Sequence, residues 1–172
     1  MRIAAINGND IVDAIDGIAV SLWTVGCPHH CKGCQNSELW DYNAGKDYEI
    51  DDIVDKLEHA ISKSHIYRSL SILGGEPLCE ENIYDVNEII KRIRASHPDI
   101  FIYVWSGYTK EQLEEKPVFQ EILSNINYFI DGPYVESLRD TRLVLRGSSN
   151  QRIWVKSDDG WGLLKERDRF AC

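Results

Sequence analysis

The chain reads as an α/β protein built on a parallel sheet, and two regularities along its 172 residues support this. Short apolar or β-branched runs alternate with segments whose apolar residues recur at helical spacing. Most of the runs stop at or just before glycine, and glycines and polar residues collect where open α/β sheets bind ligands, beyond the strand carboxyl ends.

The elements follow in order. Residues 17–25 (GIAVSLWTV) form the first strand-like run, which halts at Gly26-Cys27 and so places the next cysteines on a loop. Residues 51–64 carry Ile53, Val54, Leu57, Ala60 and Ile61 along one stripe, as an amphipathic helix does. The apolar run 69–73 (SLSIL) ends at Gly74-Gly75, in the manner of a buried parallel strand. Residues 81–94 set Ile83, Val86, Ile90 and Ile93 on one helical face, and His97-Pro98 closes that segment. The clearest strand is 100–105 (IFIYVW), followed by Gly107. Residues 109–115 and 117–124 make one or two short helices, and 127–130 is a strand ending in Asp131-Gly132-Pro133. Residues 143–145 and 152–156 read as two more strands, whereas 135–139 and 157–172 give weak signals. Five or six strands are too few for a closed eight-stranded barrel. No linker interrupts the pattern, so residues 1–172 read as a single domain.

A hydrophobic content of 43%, a charged content of 27% and the lack of any repeat are those of an ordinary globular chain. The net charge of −9 argues against a general nucleic-acid binder, which presents a basic face. The longest apolar runs fall far short of a membrane span. Residues 1–15 alternate polar and apolar positions and include Asp10 and Asp13, unlike a secretory leader. The five cysteines are odd in number and three of them fall within eight residues. That usage predicts metal ligation in a reducing, cytoplasmic setting and no disulfide framework.

Those three occur in Cys27-Pro28-His29-His30-Cys31-Lys32-Gly33-Cys34. A closed structural zinc site takes four protein ligands, which His29 or His30 could complete. A four-iron cluster held by three thiolates instead keeps one iron open to a non-protein ligand. About forty residues later, after a strand, comes Leu73-Gly74-Gly75-Glu76-Pro77-Leu78. Its adjacent glycines let the backbone approach a ligand, and Pro77 fixes the exit of the turn.

The C-x3-C-x2-C spacing resembles the signature of the radical S-adenosylmethionine (radical SAM) enzymes, and the GGE segment resembles their second motif. The likeness narrows through Asp16-Gly17, Gln35-Asn36, Trp40, Trp105-Ser106-Gly107-Tyr108, Asp131-Gly132-Pro133-Tyr134 and the Arg146–Arg152 segment RGSSNQR. Over roughly residues 16–155 this series resembles the anaerobic ribonucleoside-triphosphate reductase activases, a branch of the glycyl-radical-enzyme activases. The resemblance implies an open, partial (β/α) barrel with about five or six mostly parallel strands. It also implies an oxidoreductase that uses a 4Fe–4S cluster to cleave S-adenosylmethionine reductively and generate a glycyl radical on the anaerobic reductase. Cys27, Cys31 and Cys34 would ligate the cluster, and no other catalytic side chain is called for. Gly33, Cys34 and Gln35 would run past the cofactor, Gly74, Gly75 and Glu76 would hold its methionine end, and Ser106 would reach its ribose or adenine, with Tyr108 and Asp131 as further candidates. Reduced flavodoxin or ferredoxin is the electron donor expected for such a family. Activation of a different glycyl radical enzyme and a zinc-stabilised binding module are the alternatives.

The remaining candidates have plainer readings. His29 and His30 read as loop histidines, and His59, His65 and His97 as residues of helix surfaces or ends. Cys79 reads as a small buried hydrophobe or a thiol near the site, and the use of Cys172 is open. Arg146, Asn150 and Arg152 either contact the cofactor or the partner or hold a loop.

Overall fold

The computed structural model describes residues 1–164. Its elements are β1 (Arg2–Asp10), β2 (Ile18–Thr24), β3 (Lys46–Asp47), α1 (Ile50–Ser62), β4 (Arg68–Gly74) and α2 (Ile83–Ser96), then β5 (Ile102–Ser106), α3 (Lys110–Leu113), α4 (Pro117–Asn125), β6 (Tyr128–Asp131), β7 (Arg152–Ser157) and β8 (Gly160–Leu163). All the strands join one sheet in the order β3-β1-β2-β4-β5-β6-β7-β8.

Side chains alternate across a strand, so each strand serves two faces. One face collects Val20 and Leu22 of β2, Leu70 and Ile72 of β4, Ile102 and Val104 of β5, and Phe129 of β6. The apolar stripes of all four helices pack there, including Ile53 and Leu57 of α1, Val86 and Ile90 of α2, Leu113 of α3, and Phe119 and Ile122 of α4. The same alternation sends Ser21, Ser69 and Ser71 to the other face, where they are buried. Farther across the sheet that second face carries a smaller cluster of Tyr103, Ile130 and Ile153, against which Trp105 and Leu145 pack. Small polar residues beside large aromatics leave room on this face for a cavity.

β2, β4, β5 and β6 pair in parallel, and α1, α2 and α3–α4 carry the chain from each to the next. The predicted helices and five of the six predicted strands are present. Among the described residues, the expectation of five or six mostly parallel strands is corrected to eight. β1 and β3 at one edge, and β7 and β8 at the other, pair antiparallel. β3 has two residues and β8 reads Gly-Trp-Gly-Leu, lengths and compositions in which a two-residue period cannot register. The expected strand at 143–145 is a loop: Leu145 takes a positive φ of 57° and its carbonyl accepts the Trp105 indole N–H at 2.8 Å.

Arg94 fastens α2 to two of the turns on the far side of the sheet from the strand carboxyl ends. Its guanidinium donates to the carbonyls of Pro98 (2.7 Å), Ile100 (2.7 Å) and Asn125 (2.9 Å), and to the Asn127 side-chain oxygen (2.8 Å). Only a planar fork serves several acceptors at once. Arg94→Lys should therefore lower the unfolding free energy by about 1–3 kcal/mol, from charge-assisted bonds left unmade. Urea denaturation of the reduced chain measures it, and an unchanged midpoint would contradict this role.

Candidate functional site

The parallel register brings the site together. Thr24 of β2 lies opposite Gly74 of β4, and Ser106 of β5 opposite Asp131 of β6. The cysteine loop, the Gly-Gly-Glu turn and the Ser106-Gly107 turn thus leave the sheet side by side at the carboxyl ends of its central strands. The main chain then stitches the first two together: Gly75 N–H donates to the Thr24 carbonyl (2.9 Å) and Glu76 N–H to the Gly26 carbonyl (2.7 Å). Such close backbone contact needs glycine. A Cβ on Gly74, whose φ is +116°, would come within 2.5 Å of the Thr24 oxygen, and one on Gly75 within 2.5 Å of the Gly26 oxygen.

Glu76 is fully buried, and its carboxylate is hydrogen-bonded on both oxygens. Oε1 accepts the Leu78 N–H (2.9 Å) and the Ser106 hydroxyl (2.8 Å). Oε2 accepts the Gly107 N–H (2.7 Å) and meets His29 Nε2 (2.8 Å). An ionised carboxylate only accepts, so the His29 proton belongs on Nε2. Asn82 adds a second brace, its amide donating to the carbonyls of Val25 (2.9 Å) and Glu76 (3.0 Å). His29 is therefore a hydrogen-bonded loop histidine, as one of the plainer readings has it, and its partner makes it part of the site. Its neighbour His30 sits edge-on to Trp40 instead.

Each cysteine of the loop has a main-chain N–H beside its sulfur. Asn36 N–H donates to Cys34 Sγ at 3.4 Å, the His29 and His30 N–H groups face Cys27, and the Tyr134 N–H faces Cys31. Burial pushes the Cys27 thiol up to about 11, and burial also raises Cys31 despite the opposing Tyr134 donor. Cys79 is buried with its thiol pushed up to about 12 by burial, an inert small hydrophobe beside the loop.

A cavity of about 540 Å³ opens at these strand ends. Of the residues singled out in the sequence, Cys27, Cys31, Gly33, Gln35, Gly74, Gly75, Glu76 and Ser106 line it, whereas Cys34 does not. Ser106 reaches it with its hydroxyl already given to Glu76. Asp131 is turned away from ligand duty: it accepts the Lys110 N–H (2.7 Å) and the Arg152 Nε–H (2.9 Å). Trp23, Trp105 and Tyr134 complete the wall; Trp105 and Tyr134 stand in motifs that carry the resemblance, but none of the three was given a site role, because a lone aromatic in a strand or loop carries no spacing signal.

The RGSSNQR segment forms a clasp at the cavity rim. The Gln151 side chain accepts the N–H groups of Gly147 (2.9 Å) and Ser148 (3.1 Å) and donates to the Gly132 carbonyl (3.1 Å). Asn150 donates to the Pro133 carbonyl at 2.8 Å, and Arg152 joins Asp131 to Glu111. Asn150 and Arg152 thus hold a loop, while Arg146 lines the cavity. Cys172 lies outside the described residues.

Comparison with known proteins agrees with the cysteine loop. A family described as a 4Fe-4S single cluster domain matches residues 15–154. The chain is 35% identical over 145 residues to the anaerobic ribonucleoside-triphosphate reductase-activating protein of Salmonella typhi, covering 84% of this chain and 92% of that one. The protein of the same name in Escherichia coli K12 gives the same identity and coverage. That of Enterobacteria phage T4 is 32% identical, over 84% of this chain and 88% of its own. The chain belongs to the anaerobic ribonucleoside-triphosphate reductase-activating protein family.

The donor set suits the cluster that this family's 4Fe-4S domain implies. A single zinc ion draws all its ligands to one point at about 2.0–2.3 Å. Among the described residues no three Cys, His, Asp or Glu side chains are gathered closely enough to hold one ion. A four-iron cube spreads its thiolates over separate irons, and N–H groups aimed at the sulfurs are a recognised means of tuning it. His29 Nε2, a nitrogen that could have completed a zinc set, is committed to Glu76.

Asp13 borders the same cavity, coupled to the carboxyl of Asp10 behind it. Burial raises Asp10, but the Val12 N–H, the Ser21 hydroxyl and the Asp13 N–H outweigh it and hold Asp10 below its usual value. Burial and then the Asp10 charge push Asp13 up to about 7. A raised carboxyl keeps its proton in the folded chain after the unfolded chain has lost it, so this stabilisation is complete at low pH and declines as pH rises from the ordinary 3.8 towards 7. Asp13→Asn should therefore gain stability relative to wild type on going from pH 5 to pH 8. Urea unfolding at the two pH values tests it, and an equal difference at both would contradict the raised carboxyl.

Proposed function

We propose that this chain is a radical SAM activase that generates a glycyl radical on an anaerobic ribonucleoside-triphosphate reductase. The observation that carries the reading is the meeting of the three-cysteine loop and the Gly-Gly-Glu turn on one cavity, cross-braced by Glu76. The printed name of the relatives supports the reductase as partner. Four parallel strands crossed in one direction, with the helices on one face, fit an open portion of a (β/α) barrel. Residues 1–172 act in this reading as one domain, in the cytoplasm, with reduced flavodoxin or ferredoxin as electron donor. Among the described residues no helix is long and apolar enough to cross a membrane.

When bound, the 4Fe–4S cluster and S-adenosylmethionine supply one-electron reductive cleavage and, through it, removal of a hydrogen atom from a glycine of the reductase. The protein's own work is positional. Cys27, Cys31 and Cys34 hold the cluster, and their N–H partners fix the sulfur orientations. Gly33, Cys34 and Gln35 carry the main chain past the cofactor. Gly74, Gly75 and Glu76 receive its methionine end with backbone groups, because the Glu76 carboxylate is already occupied by the protein. Ser106 secures Glu76 from the β5 side. Trp23 and Trp105 form apolar wall on which reactive chemistry is shielded from water.

Anaerobic reconstitution with iron and sulfide, dithionite reduction and addition of S-adenosylmethionine tests the proposal. The expected result is a paramagnetic signal altered by the cofactor, release of 5′-deoxyadenosine and a glycyl radical on added reductase. Cofactor cleavage without a radical on the reductase would move the reading to another glycyl radical enzyme. A colourless zinc protein that cleaves nothing would overturn it. Replacing Cys27, Cys31 or Cys34 singly with Ala should abolish iron loading and cleavage together, while Cys79→Ser should retain its iron. Iron lost in Cys79→Ser would contradict the ligand assignment.

A further inference from the structure

His29 lies between the first two cysteines and does two separate things. Its main-chain N–H faces the Cys27 sulfur, and its ring reaches across to the Glu76 carboxylate at 2.8 Å. The ring is largely buried and stands edge-on to Tyr108, with centroids 4.5 Å apart. It also fills the space above Gly107. The three atoms nearest a Cβ built on Gly107 all belong to this ring, the first at 2.4 Å. Gly107 has no positive φ to explain it, so its lack of a side chain is explained by the imidazole.

We propose that His29 is a positioning residue that clamps the cysteine loop onto the Gly-Gly-Glu turn, so that the cluster-bearing loop and the cofactor-holding backbone keep a fixed distance and orientation. This inference rests on the activase reading and deepens it. The main-chain bonds of Gly75 and Glu76 reach Thr24 and Gly26, before the first cysteine. The His29 ring extends the tie into the loop between Cys27 and Cys31. Glu76 Oε2 has two donors, the Gly107 N–H and His29, so removing the ring unbalances a buried carboxylate at the turn that receives the cofactor. His29 makes no contact that requires it as a metal ligand, and its bonded nitrogen faces away from that task.

The test uses His29→Ala, His29→Gln, Gly107→Ala and the His29→Ala/Gly107→Ala double variant of the reconstituted full chain. Iron content and S-adenosylmethionine affinity by anaerobic calorimetry are the readouts. His29→Ala should keep its iron and bind the cofactor about tenfold or more weakly, the scale of one lost hydrogen bond to a charge. Glutamine places an N–H near the position of Nε2, so His29→Gln should recover most of the affinity. Gly107→Ala should weaken binding by displacing the ring, and should add nothing in the His29→Ala background, where the obstacle is gone. Wild-type affinity in His29→Ala, losses that multiply in the double variant, or loss of iron that glutamine does not restore would each overturn the clamp. Wild-type protein that binds no S-adenosylmethionine would contradict the activase reading instead. The same cycle in urea unfolding of the iron-free chain then decides the clamp, with non-additive losses supporting it and additive losses overturning it.

Discussion

A carboxylate with no exposure to water governs the geometry of this site. Burying a charge is costly unless every lone pair is met, and Glu76 meets that condition with donors from three segments: Leu78 of its own turn, Ser106 at the end of β5 with Gly107 after it, and His29 of the cysteine loop. Because the Leu78, Gly107 and His29 contacts lie outside regular structure, the carboxylate fixes their positions relative to the end of β5. The arrangement depends in turn on β2, β4 and β5 being parallel and in register, so that their ends emerge side by side. A helix-covered face makes that register rigid, and a sparsely filled opposite face leaves the cavity.

The rim is built on a different principle. The loop that follows β6 has little regular structure, yet the Gln151 and Asn150 amides gather it onto the main chain of Gly132 and Pro133. Arg152 then binds Asp131 at the end of β6 to Glu111 of α3, which anchors the clasp to the sheet. A polar clasp of this kind closes one side of a cavity without filling it. It is compatible with a substrate that is itself a protein, since the rim offers exposed groups such as Val12 and Arg139 around the opening.

Much of this was legible in the sequence. The parallel strands and the helices announced themselves through period and length, and the two chemical motifs through spacing and their place after strands. Three of the outer strands were not legible: β3 and β8 are too short for alternation to show and β8 is half glycine, while β1 ends in Asn7-Gly8-Asn9-Asp10, a composition that reads as a turn. Leu143–Val144–Leu145 has strand composition, but Leu145 spends its backbone on a left-handed turn whose carbonyl serves Trp105. His29 was passed over because its partner is 47 residues away and nothing local distinguishes it from His30. The signal that existed was Gly107, a glycine at a strand exit that no turn requires. Asp131 looked like a cofactor contact from its position after β6, yet its burial with Arg152 reserves it for the fold.

Hydrogen exchange of the iron-free chain, wild type against Glu76→Gln, tests the central claim most directly. A glutamine keeps the shape but replaces one acceptor oxygen with a donor, so it cannot satisfy all four donors. The account predicts faster exchange at the amides of Leu78 and Gly107 and in the 28–33 loop together, with the amides of α2 unchanged. Unchanged protection in all three segments would contradict the carboxylate as the element that holds the site together.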